Sequence, residues 1–176
     1  MMKCMLIAVL TCVANLVMAQ YKPTDQGSSL QFTIKNFGFN VTGTFKRLQG
    51  DITFDPANAT SAAFDVTVDA STVNTDNSLR DSHLKGDSYF DVTHYPTIHF
   101  VSTQVTGKNG SYKITGKLTI KKTTKMISFP FNATPGGNGY VFKGSFDINR
   151  KDFDVGGTST ISDELTVTLN IAARKG

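Results

Sequence analysis

Apolar residues recur at every second position in eight separate runs of this chain, and that periodicity leaves few folds open. Successive side chains of a strand point to opposite faces, so apolar residues alternating with polar ones describe strands buried on one face only. The first run places Leu30, Phe32 and Ile34 between Gln31, Thr33 and Lys35, after a polar lead over residues 21–27. Asn36-Phe37-Gly38-Phe39 breaks the pattern, which resumes over residues 43–54 with Phe45 out of phase with Leu48, Gly50, Ile52 and Phe54. Such a phase slip predicts a bulge near Lys46 and Arg47, the device that bends a long strand around a barrel. Phe64, Val66 and Val68 mark a third strand that ends at Asp69 in a polar loop over residues 71–77, and Ile98 and Phe100 mark a fourth. Tyr112, Ile114, Gly116, Leu118 and Ile120 mark a fifth; Ile127, Phe129 and Phe131 a sixth; Tyr140, Phe142, Gly144, Phe146 and Ile148 a seventh; Leu165, Val167, Leu169 and Ile171 the last. Pro130 costs the sixth strand a ladder hydrogen bond and predicts irregularity or an open edge there.

The connections are mostly short. Asp55-Pro56-Ala57-Asn58, Gly107-Lys108-Asn109-Gly110 and Pro135-Gly136-Gly137-Asn138-Gly139 have the composition of turns. The exception is the stretch over residues 79–100, too polar and aperiodic for a strand yet interleaved with Leu79, Leu84, Tyr89, Phe90 and Tyr95. Ser78 with Asp81 reads as a capping box, Gly86 as a helix stop, and Pro96 as the entry to the fourth strand. Eight strands and one helical insert, about residues 78–90, predict an all-β fold, an eight-stranded antiparallel barrel with the insert over one end. A β-sandwich is the rival; the long strands with one clean apolar face, and a number matching a barrel that holds side chains or one small ligand, favour the barrel.

Residues 1–19 read as a signal peptide, with Lys3 as a basic start, an apolar run over residues 4–13 and Val17-Met18-Ala19 before the cleavage point at Gln20. The run is too short to span a bilayer, which takes about 20 apolar residues. Residues 20–176 are then a single domain without a transmembrane segment, periplasmic or secreted. Cys4 and Cys12 both fall in the leader, so the mature chain has no disulfide, thiolate nucleophile or cysteine zinc site. Of 18 basic residues only Lys3 leaves, and against 14 acidic ones the net charge is +3, which is no nucleic-acid footprint. Lys117, Lys121, Lys122 and Lys125 cluster at one turn, where solvated lysines discourage edge pairing.

With thirteen Phe and no Trp, the inward faces are aromatic. Gly116 and Gly144 on those faces remove side-chain volume, and so leave room for a ligand or mark a bend. Several segments resemble the YceI-like family of secreted bacterial proteins: SLQFTIKN, VTGTFKRLQGDITFDP, TDNSLRDSHLKGDSYFDVTHYPTIHF, GKLTI and INRKDFDV, together spanning nearly all of residues 21–175. The resemblance implies a lipocalin-like barrel whose apolar lumen binds a polyisoprenoid, such as a quinone or prenyl-lipid tail, for transport, storage or stress response, with no other cofactor. Asp154 departs from the pattern, which more often has glycine after the phenylalanine.

On this reading Phe32, Ile34, Phe37, Phe39, Phe45, Leu84, Phe90, Ile98, Phe100, Leu118, Phe129, Phe131, Phe142 and Phe146 form lumen and lid. Arg80, Asp81 and His83 either meet the ligand head group or, for Arg80 and Asp81, pin the insert to its neighbours. The partner is an isoprenoid or other long-chain lipid, and a homodimer stays open. The alternatives are a secreted β-domain enzyme or a carbohydrate-binding module. Against an enzyme, His83, His94 and His99 fall on a helix, a loop and an outward face, and neither an HExxH pattern nor a GxSxG elbow is present, so no metal and no catalytic residue is expected.

Overall fold

A strand that is apolar on one face and bonded on both edges needs neighbours on either side, and closure into a barrel supplies them without leaving an edge. The computed structural model describes residues 19–158 and 160–176. Its strands are β1 (Gln20–Asn36), β2 (Phe39–Thr53), β3 (Ala63–Asn74), β4 (Thr97–Lys108), β5 (Ser111–Ile120), β6 (Thr123–Gly136), β7 (Gly139–Asn149) and β8 (Ile161–Lys175), with helix α1 (Ser78–Lys85) between β3 and β4. Each strand pairs antiparallel with the next, and β8 returns to β1 from Tyr21↔Lys175 to Asn36↔Ile161, completing a closed barrel. The expected barrel, with its helical insert, is therefore the fold. The proposed leader lies outside the described residues apart from Ala19.

The predicted bulge is present: the β2–β3 register slips between Thr44 and Lys46 and again before Gln49, with Arg47 at φ 61. β1 has its own slip between Thr24 and Ser29, and there the Asp25 carboxylate accepts the freed N–H groups of Arg47 (2.9 Å) and Leu48 (3.0 Å). The irregularity in β1 thus satisfies the backbone of the bulge in β2. Two boundaries differ from the sequence reading. The polar lead belongs to β1, because its residues 21–24 pair with β8, and the supposed loop over residues 71–74 belongs to β3, which reaches Asn74 opposite Thr44. In the first place backbone pairing holds the strand where side-chain alternation fades; in the second, the Thr72 hydroxyl bonds both the N–H and the carbonyl of Lys46 across the bulge. Pro130 sits where expected of a residue without an N–H: β6 pairs with β7 only from Phe131 onward, and residues 123–130 pair with β5 alone.

The insert begins one residue earlier than the capping box implies. Asn77 is the N-cap, its side chain accepting from the Arg80 N–H at 2.9 Å, and Asp81 is released for another task. Gly86 ends the helix as expected.

The barrel has two unlike ends. Near the termini, Phe54 makes edge-on contacts with Tyr112, Tyr140 and Phe142 at centroid distances of 5.1–5.2 Å, and Phe64 and Phe131 join them in a filled aromatic core. Each such pair adds about 0.5–1.5 kcal/mol beyond area burial. The other end carries the β1–β2 turn, α1 with the turns that follow, the β5–β6 turn and the β7–β8 connection.

Candidate functional site

At that second end the interior is not filled. A cavity of about 220 Å³ is lined from all eight strands, among them by Phe32 and Ile34 of β1, Phe45 of β2, Val68 of β3, Ile98 and Phe100 of β4, Leu118 of β5, Phe129 of β6, Phe146 of β7 and Leu165 and Val167 of β8. Among the described residues its polar lining groups are Gln31, Thr67, Arg150 and the Tyr89 phenol. Phe129 and Phe146, stacked at 4.3 Å, belong both to this lining and to the contacts of the packed aromatic core, so they separate the two regions. A cavity so lined offers water almost no partners and suits an apolar guest.

The roof is the insert. Leu84, Tyr89 and Phe90 line the cavity from above, and the Phe90 ring stands edge-on to Phe45 at 5.4 Å. The Phe90 N–H bonds the Leu84 carbonyl at 3.0 Å, which folds the turn back under the helix. Phe153 and Val155 of the β7–β8 connection complete the roof. The two halves are joined by Gly156 N–H to the Ser88 carbonyl (2.7 Å) and by Lys121, whose ammonium reaches the carbonyls of Asp87 and Asp154 at 3.1 Å each. Gly156 is required here, since a Cβ would stand 2.6 Å from the Tyr89 ring. Asp154 holds φ 56, ψ 37, the left-handed conformation for which glycine is the easy choice.

Of the residues expected in lumen and lid, Phe32, Ile34, Phe45, Leu84, Phe90, Ile98, Phe100, Leu118, Phe129 and Phe146 line the cavity. Four do not. Phe131 and Phe142 point inward but lie in the packed aromatic end, and Phe37 and Phe39 stand in solvent at the tip of the β1–β2 hairpin. Gly116 and Gly144 do not leave ligand space: a Cβ on Gly116 would meet the Phe100 ring at 2.5 Å, and one on Gly144 would meet the Pro130 carbonyl at 3.0 Å and the Phe129 ring at 3.4 Å. Neighbouring aromatics and backbone already occupy that volume.

Arg80 and Asp81 face away from the cavity and fasten the insert to the end of β3. Buried Thr75 is their common partner: its hydroxyl accepts from Arg80 Nε (2.7 Å) and donates to Asp81 (2.6 Å), while its N–H also donates to Asp81 (2.9 Å). His83 is exposed on α1. His94 bonds Asp91 at 2.8 Å, and His99 bonds Asp65 at 2.7 Å on the outer face, so the three histidines do not converge. Among the described residues no group of three or more His, Cys, Asp or Glu side chains is placed to hold a metal.

Arg150 was not singled out by the sequence reading. It is 4% exposed, and its guanidinium donates to the carbonyls of Val155 and Gly156 (2.8 Å each), Ser162 (3.0 Å) and Gly157 (3.1 Å) and to the Asp163 carboxylate (2.9 Å). The β7–β8 connection is wrapped around this one side chain. A signal did exist, since Arg150 continues the inward phase of Phe142, Gly144, Phe146 and Ile148. The β8 lining residues were legible in the same way but were read only as strand.

Among the described residues two titrating groups are displaced, and neither touches the cavity. The Ser71 hydroxyl holds Asp69 below the usual carboxylate range, helped by the Ser71 N–H and Arg47 and opposed by burial. Burial among the aromatics of the packed end pushes the Tyr140 phenol up, with Tyr21, Asp55 and Tyr112 adding to the shift.

The model of the YceI-like domain matches residues 21–173. The chain belongs to the YceI-like family. A UPF0312 protein of Yersinia pestis (strain Pestoides F) is 31% identical over 157 residues, covering 84% of this chain and 82% of its own. Among solved structures the YceI-like barrel is similar to BcnA of Burkholderia cenocepacia, with TM-score 0.77, 27% identity and coverage of 82% and 94% of the two chains. It is also similar to the Campylobacter jejuni YCEI protein, with TM-score 0.70, 32% identity and coverage of 78% and 87%. A polyisoprenoid binding domain from Saccharophagus degradans shares the fold at TM-score 0.74 and 15% identity, over 90% of this chain and 99% of the other.

Proposed function

We propose that this YceI-like barrel is a binding protein for a long apolar lipid of the polyisoprenoid class, held with its tail in the cavity beneath the insert. The observation that carries the reading is a roofed cavity to which every strand gives apolar side chains and in which, among the described residues, Gln31, Thr67, Arg150 and the Tyr89 phenol are the polar groups. A lipid tail burying about 400 Å² would gain on the order of 10 kcal/mol at about 25 cal/mol per Å². Immobilising the ligand offsets much of that gain. The name of the S. degradans domain supports the polyisoprenoid class, and the leader-like residues 1–19 support a periplasmic or secreted setting in which such a lipid would be carried or stored. The role requires no further cofactor and no catalytic residue.

Extraction of protein purified from its native host, followed by mass spectrometry, is the direct test. One isoprenoid-tailed lipid per barrel is expected. Val167→Trp, which adds bulk to the cavity wall, should lower occupancy at least about tenfold, equivalent to about 1.4 kcal/mol. An empty wild-type barrel that also fails to take up a fluorescent prenyl probe would refute the reading.

A further inference from the structure

The β1–β2 hairpin turns through Phe37 (φ 49) and Gly38 (φ 83), both in the left-handed region that a two-residue hairpin of this kind demands. Asn-Gly is the sequence that fits such a turn, and a bulky residue at positive φ is strained. Here the first position is Phe37, 74% exposed, followed at once by Phe39, 77% exposed. Neither ring contributes burial to the barrel, so folding alone gives no reason for them. The remaining large apolar side chains exposed among the described residues are Leu79 (67%) and Met126 (55%). Leu79 lies in the first turn of α1, and Met126 near the β5–β6 turn. All four therefore project from the cavity end, and none from the packed end.

The charge at that end is distributed to match. Residues 27–50 and 92–146 contain no aspartate or glutamate, and these segments form the β1–β2 and β5–β6 hairpins. In the barrel's strand order the two hairpins stand on opposite sides of the mouth. Phe37 and Phe39 are accompanied by exposed Lys35, and Met126 is flanked by exposed Lys125 and paired across the ladder with exposed Lys117. The carboxylates of this end lie elsewhere around the mouth, on the insert (Asp81, Asp87 and Asp91), on the β7–β8 connection (Asp152 and Asp154) and at the neighbouring strand ends (Asp69 and Asp76 by β3, Asp147 on β7, Asp163 and Glu164 on β8).

We propose that the mouth of the barrel docks on an anionic lipid bilayer, with Phe37 and Phe39 entering the headgroup region and Lys35, Lys117, Lys122 and Lys125 meeting the lipid charge. Aromatic side chains settle at such an interface, and basic residues beside them add attraction that salt screens. Docking would hold the roof against the membrane, so a lipid could pass between bilayer and cavity without crossing water. That purpose rests on the proposed lipid cargo; the docking surface itself rests on the exposed residues.

The test is flotation of the full mature chain with vesicles of mixed phosphatidylglycerol and phosphatidylcholine, and with pure phosphatidylcholine. The wild type should float with the mixed vesicles and progressively less as salt rises. The double variant Phe37→Asn, Phe39→Ser should partition at least about tenfold less, and should unfold no more easily, because asparagine suits the turn. Lys122→Gln with Lys125→Gln should weaken flotation at low salt only. Wild type that stays in solution, or a double variant that floats as well as wild type, overturns the proposal. So does a wild-type dimer in sedimentation velocity that the double variant abolishes, since the rings would then join two copies. Lipid extraction from the same samples separates the two readings: a barrel that floats but carries no lipid sinks the cargo and leaves the docking surface standing.

Discussion

Arg150 is the residue on which the roof's second half depends. Its side chain satisfies carbonyls of Val155, Gly156, Gly157 and Ser162 that face inward around it, and exposed water cannot readily replace a buried donor set of this kind. Arg150→Met is expected to destabilise the barrel by on the order of 3 kcal/mol, because several carbonyls lose their donor at once. Arg150→Lys should recover only part of this, since an ammonium is a point charge and cannot span the same fan of acceptors. Urea denaturation of the three proteins checks it; equal midpoints would mean that the loop orders itself without the guanidinium. Asp163 is 41% exposed on its side chain, so Asp163→Asn should cost less than about 1 kcal/mol. At this scale the sequence was readable in part. Arg150 keeps the inward phase, but a charged residue past the last apolar position of a strand looks like loop, and only its acceptors, contributed from residues up to thirteen positions later, show that it is buried.

The elements were more legible than the residues within them. Period two located all eight strands, because one buried face is enough to write that pattern. It failed at the strand ends, where Tyr21 to Thr24 are held by backbone pairing with β8, and where Asn74 pairs with Thr44 while the Thr72 hydroxyl bonds the backbone of Lys46. The insert was recognisable from its mixture of polar and aromatic residues, though its cap was misplaced by one residue because Asn77 competes with Ser78 for the same role. As an element the insert contributes a roof and few strand contacts, and this predicts a separation of effects. Phe90→Ala removes the ring that packs on Phe45. Release of a prenyl probe, followed by stopped-flow fluorescence, should accelerate about tenfold, with most of the affinity change in the dissociation rate. The ring is only partly buried, so the stability loss should fall below the ~3–5 kcal/mol of a fully buried Phe→Ala change. Unchanged release would mean that the lipid leaves by another route.

For the whole molecule, the sequence announced a barrel but not which half of it is hollow. Alternation separates inside from outside and carries no information about height along the axis. Phe131 and Phe142 therefore looked equivalent to Phe129 and Phe146, yet the first pair belongs to the solid aromatic end and the second borders the cavity. Height is set by register and by shear across eight strands, which no single run contains.

The seam between β1 and β8 has a consequence in time. β1 emerges first during synthesis, but one of its two edges is reserved for the strand that emerges last. Until β8 is made, β1 and β7 each keep an unpaired edge, and β1 must wait through the synthesis of nearly the whole domain with its edge exposed. A barrel whose closing contact joins its extremes should also refold on the slow, millisecond-to-second side for its size. Hydrogen exchange on chains stalled after β7 should find the β1 amides that pair with β8 unprotected, and extension through Lys175 should protect them together. Protection of those amides in the stalled chain would show that the barrel does not depend on its final strand to close.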